Sequence, residues 1–108
     1  MPEVNENEHE DQQEAPPIVI KPTVGRVVHY YPGINERVMC NGKDPVIGLV
    51  AAVLSDRSVN LACFDAEGRP FNRECILLIQ PGDEVPEHRN IGYAAWMGYQ
   101  IDQVAKID

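Results

Sequence analysis

The chain has 108 residues, 44% of them hydrophobic, and a formal net charge of −8. That length suits one domain with a small core, and no apolar run reaches membrane-spanning length. With no charged and then apolar leader, the expectation is a soluble protein that stays in the cytosol and contacts no membrane.

The first seventeen residues hold Glu3, Glu6, Glu8, Glu10, Asp11 and Glu14 and neither lysine nor arginine. Eleven acids then face nine bases over the rest of the chain, so most of the acidity belongs to this segment. Prolines 2, 16 and 17 and glutamines 12 and 13 leave it almost nothing apolar to bury, which predicts a disordered acidic tail over 1–17. It serves either as a solubilising extension or as an acidic arm for a basic partner.

Ile18, Val19 and Ile20, held between prolines 17 and 22, read as an extended segment along a sheet edge. The run GRVVHYY before Pro32-Gly33 reads as the first full strand. Period two puts Val27, His29 and Tyr31 on one face and Arg26, Val28 and Tyr30 on the other. Residues 34–44 form a polar connection around Val38-Met39-Cys40, with Asn41-Gly42 as a type I′ turn candidate.

Three apolar runs follow. Val46 to Leu54 is short and rich in Val and Ile, which favours a strand buried on both faces, although Ala51 and Ala52 would also suit a helix. Ser55 to Ser58 is a hairpin turn, and Val59 to Phe64 a strand with one apolar and one mixed face. Asp65 to Gly68 is a second turn. Arg69-Pro70 is expected to interrupt pairing, and Cys75 to Ile79 to close an antiparallel meander before Pro81-Gly82.

Asp83 to Asn90 reads as loop. Tyr93, Trp96 and Tyr99 recur at intervals of three, which suits a helical turn or a strand across a barrel mouth. They would close the core or, if exposed, form a binding hot spot. Ile101, Val104 and Ile107 make an amphipathic turn or two, or a frayed end. The expectation is one all-β domain over 18–100, a small SH3-like antiparallel barrel or curled meander sheet of four to six strands, with 101–108 as a tail or short helical turn.

Residues that could do chemistry are sparse. Cysteines 40, 63 and 75 lack Cys-x-x-Cys spacing and a histidine at zinc-finger distance, so no metal site is expected, and an odd count without a secretion signal argues for reduced thiols. Cys63 and Cys75 read as small buried hydrophobes; a long loop would set them opposite each other, a tight turn out of register. His29 reads as packed within its strand, with no serine or cysteine placed to make a triad. The glycines are scattered singly, so no phosphate loop or dinucleotide fingerprint forms, and no cofactor is implied. Tyr30, Tyr31 and Phe64 could stack bases, but lysines and arginines are dispersed among slightly more acids, which disfavours nucleic acid.

The ordered pieces GRVVHYYPG, SDRSVNLACFDAEGRPF, LIQPGDEVP and YAAWMGYQ resemble a set of small uncharacterised proteins encoded by tailed bacteriophages and prophages, from Pro22 to Gln100. In those proteins the closing motif carries Cys and Glu in place of Ala94 and Ala95, and Pro in place of Gly98. The resemblance implies a phage-encoded accessory protein in the host bacterial cytoplasm or the virion; it points to no activity and no known active site. The expected function is a non-enzymatic protein-interaction module, with Tyr30, Tyr31, Trp96 and Tyr99 as contact residues by residue type. Its rivals are a self-associating virion component, hence a homo-oligomer, and an acidic decoy of a host nucleic-acid-binding protein.

Overall fold

The computed structural model describes residues 18–36, 42–86 and 90–107. Five strands, β1 (Val27–Tyr31), β2 (Val46–Ser55), β3 (Ser58–Phe64), β4 (Pro70–Ile79) and β5 (Tyr93–Ala95), precede one helix, α1 (Gly98–Ile107). The strands close into a barrel in chain order, the small all-β barrel expected. Neighbours pair antiparallel except β4 with β5, which run parallel. An odd number of strands cannot alternate direction around a closed ring, so one parallel pair must occur. Segments 1–17 and 37–41, with the tail, Val38-Met39-Cys40 and Asn41, lie outside the described residues, as does 87–89.

Both hairpin turns form where short polar side chains can bond the backbone. Ser58 pairs with Ser55 across Asp56-Arg57, and the Arg57 N–H donates to Ser55 Oγ at 3.2 Å. In the second turn one Asp65 oxygen accepts the N–H groups of Glu67 and Arg69, both at 2.9 Å, while Gly68 supplies the positive φ of 87°. Asp at the first position and Gly where the left-handed region is needed make this turn local chemistry.

The strand of the third apolar run, β4, is longer than expected. Pro70 pairs with Phe64 and opens β4, because a proline at a strand's first residue has no ladder N–H to forfeit. The interruption falls later, where Asn60 faces both Glu74 and Cys75, and Cys75 sits at φ 53° with its N–H donating to Asn60 Oδ1 at 2.9 Å. That bulge turns Cys75 outward, which corrects its expected burial; Cys63 is fully buried. The tight turn also sets the two thiols out of register, with Cys63 opposite Phe71.

β2 corrects a second expectation. It is a strand, but burial alternates along its first half: Val46, Gly48 and Val50 point inward, while Ile47 and Leu49 point to solvent. The interior holds Val28, Tyr30, Val50, Val59, Leu61, Cys63, Ile76, Leu78, Ala94 and Trp96, with Ile18, Phe71, Ile101 and Val104 packed against it. The aromatic run at the C-terminus is neither one helix nor one strand: Tyr93 lies in β5, Trp96 in the connection, and Tyr99 on α1. α1 is docked by Gln100, whose Oε1 accepts the Met97 N–H at 2.7 Å and whose Nε2 donates to the Val27 carbonyl at 2.8 Å.

At the other end Gln80, 1% exposed, clips the N-terminal segment to the barrel. Its Oε1 accepts the Ile20 N–H at 2.9 Å, and its Nε2 donates to the carbonyls of Ile20 at 3.0 Å and Asp56 at 2.7 Å. An apolar side chain here would strand both buried backbone groups of Ile20 and the partly buried carbonyl of Asp56, which explains an amide in this position.

Candidate functional site

Period two decides what the barrel shows to solvent. Turning Val28, Tyr30, Val46, Gly48, Leu61 and Cys63 inward forces Val27, His29, Tyr31, Ile47, Leu49, Ala62 and Phe64 outward. The register then aligns them: His29 lies beside Ala95 on β5 and Ile47 on β2, and Ile47 beside Phe64 on β3. The next outward row is Val27, Leu49 and Ala62. On the other side Tyr31 pairs with Tyr93, rings stacked at 5.0 Å and 12°, and the His29 ring meets Tyr31 edge-on at 6.0 Å. Ile47, Leu49 and Phe64 remain 45%, 37% and 37% exposed. Three adjoining apolar side chains on paired strands are thus left partly open to water.

This strip carries no lysine, arginine or carboxylate. Burial, with Tyr31 alongside, pushes the Tyr93 phenol above its ordinary pKa. Among the described residues neither tyrosine hydroxyl has a hydrogen-bond partner, so both are available to an outside acceptor or donor.

A second cluster closes the barrel from inside. Glu36, in the 3-10 turn Ile34–Glu36, accepts at Oε1 the Tyr30 hydroxyl at 2.6 Å and the Gly33 N–H at 2.8 Å, and at Oε2 the Arg73 Nε–H. Arg73 also lies over the Phe71 ring at 4.6 Å. Burial raises the Glu36 pKa, but the bonds from Tyr30, Gly33 and Arg73 outweigh it and hold the carboxylate below its usual range. Burial, then the bond to Glu36, push the Tyr30 phenol well above its own. A carboxylate held by three donors and kept below its usual range acts as a structural clasp and a weak base. Among the described residues no three His, Cys, Asp or Glu side chains gather to hold a metal ion, and no helix is long and apolar enough to cross a membrane.

The four residues expected to make contacts are not brought together. Tyr30 is fully buried, and Trp96, 5% exposed, belongs to the core beneath the Arg26 guanidinium at 5.4 Å. Tyr30 is therefore corrected from a surface contact to a core aromatic, and Trp96 takes the core-closing alternative in place of the contact role. Tyr31 lies on the strip, half-buried; Tyr99 is 63% exposed on α1 and makes no ring contact among the described residues. His29 is packed, as expected, but on the outer face against Tyr31. Sequence reasoning missed Ile47 and Leu49, whereas the sequence offers Phe64 as a base-stacking residue and Tyr93 among the aromatics that close the core or form a hot spot. The available signal was β2 itself, apolar on both faces in a chain too small to bury both. Neither the family models, nor the curated proteins, nor the solved structures contain a match to this chain.

Proposed function

We propose that the chain is a non-enzymatic, phage-encoded accessory protein that works as a protein-interaction module through this strip. The observation that carries the reading is the exposure of Ile47, Leu49 and Phe64 side by side on paired strands. A rigid sheet loses little conformational entropy on docking, and an uncharged apolar surface suits protein better than phosphate backbone. The phage origin rests on the resemblance from Pro22 to Gln100, which makes the infected bacterial cytoplasm or the virion the place of action. The test is capture from host lysate, read by mass spectrometry, with the natural chain and with Ile47→Glu. The natural chain should retain proteins that the variant releases, and identical sets from both would overturn the reading.

The same uncharged strip favours one rival, a virion component that self-associates, since nothing on it repels a second copy. Sedimentation at rising concentration separates the two: a module stays monomeric, and a component that assembles through the strip does not.

A further inference from the structure

We infer that the seat holding residues 18–22 takes the same segment from a second copy of the chain, two copies trading their N-terminal segments in a closed dimer. The seat reads backbone and aliphatic side chains together. Burial alternates with period two from Ile18 to Pro22, the mark of an extended segment, with Ile20 in the core cluster and Ile18 packed against it. Gln80 engages both backbone groups of Ile20, accepting its N–H at 2.9 Å and donating to its carbonyl at 3.0 Å. The ion pair from Lys21 to Asp56, at 3.8 Å, joins exposed side chains and adds little. None of these contacts requires that segment and seat belong to one molecule. The sequence that meets every one of them is this chain's own.

What keeps the segment on its own barrel is a turn. The Arg26 N–H donates to the Thr23 carbonyl at 3.2 Å, Gly25 takes φ 96°, and the two residues bond Val50 on β2 at 2.8 and 2.9 Å. Glycine two places after Thr23 with positive φ is the type II arrangement, which other residues resist. A side chain added at Gly25 would meet nothing among the described residues, so the backbone angle alone makes the position demanding. Straightening Thr23–Gly25 carries the segment away from its own seat, and β-branched Thr23 and Val24 suit that extended form. In a reciprocal exchange both seats are refilled by identical contacts, and the pair closes about a two-fold axis. A foreign peptide would have to displace a segment tethered beside its seat, and would offer that segment no seat in return.

The test is sedimentation of the full chain at rising concentration, beside Gly25→Val. The substitution strains the turn and leaves an extended hinge unstrained, so it should raise the dimer association constant more than tenfold. Ile47→Glu should leave the dimer unchanged, which separates it from assembly through the strip. Ile20→Glu spoils the segment and keeps the seat, whereas Gln80→Leu spoils the seat and keeps the segment. Each alone should sediment as a monomer. In an equal mixture at millimolar concentration, the Gln80 side-chain amide of an isotope-labelled Ile20→Glu chain should move to its position in the natural chain. A Gly25→Val chain no more dimeric than the natural one would overturn the inference, and so would a mixture in which that amide does not move. Should either mating variant fail to fold, Gly25→Val decides alone.

Discussion

Glu36 with Arg73, and Asp83 with Arg57, are two carboxylate–guanidinium pairs in very different surroundings. In the first the side chains are 13% and 25% exposed, and the carboxylate also holds a buried phenol and a backbone N–H. In the second the guanidinium is 45% exposed and makes two bonds, at 2.8 and 3.0 Å, to a carboxylate that also accepts the Gln80 N–H. Arg57 and that N–H hold Asp83 at a pKa of about 2, so both acids titrate below their ordinary range. The shared direction hides a difference in what depends on them. Water can replace Arg57 at Asp83, whereas Glu36 is the shared acceptor of Tyr30, Gly33 and Arg73 in a less exposed setting, so its loss leaves three donors to be re-satisfied together.

Glu36→Ala should be the most damaging change, about 4 kcal/mol in urea unfolding, because it strands a partly buried guanidinium and two further donors. Tyr30→Phe should cost about 2 kcal/mol, since Glu36 keeps two of its three partners. A loss in Glu36→Ala no larger than in Tyr30→Phe would show the cluster to be as replaceable as the exposed pair.

Titration sharpens the contrast. Glu36 and Asp83 are depressed from 4.5 and 3.8, so the stability each contributes is present above those values and drains away as pH falls through the folded-state values. Glu36→Gln should flatten the acid limb of a stability–pH curve. Tyr30 is raised from 10.0, so its contribution is intact below pH 10.0 and is lost as pH rises beyond it; Tyr30→Phe should remove that alkaline limb. The smallest effect belongs to Arg57→Ala, a slight drop in urea midpoint that disappears in molar salt. A salt-insensitive loss there would mean that the exposed pair does more than screen.

What the amino acids announce, and what they conceal, follows the range of the forces involved. The turns at Ser55–Ser58 and Asp65–Gly68 were legible because each is made by side chains bonding their own neighbourhood. The alternation of Tyr30 and Tyr31 was legible too, but which of them faces inward is settled by Val46 and Ala94, the partners of Tyr30 on strands further along the chain. Apolar character alone then misled: Ile47 and Leu49 look like core, and Tyr30 and Trp96 like contact residues, whereas barrel closure reverses both. Of the strip, Tyr31 could be named by residue type. Phe64 and Tyr93 join it only through registers that no local pattern encodes. Cys75 shows the same limit, because its exposure depends on a bulge created opposite Asn60.

The Gln80 clip has a consequence for the order of assembly. The two backbone groups of Ile20 are held across sixty positions of sequence by one amide that also holds the carbonyl of Asp56. Closing so long a loop before β4 is in place carries an entropic penalty with nothing yet to offset it, so the N-terminal segment settles last, onto a barrel already formed. In native-state amide exchange the Ile20 N–H should therefore open ahead of the β2–β3 ladder, making one glutamine the latch between a finished barrel and its final strap.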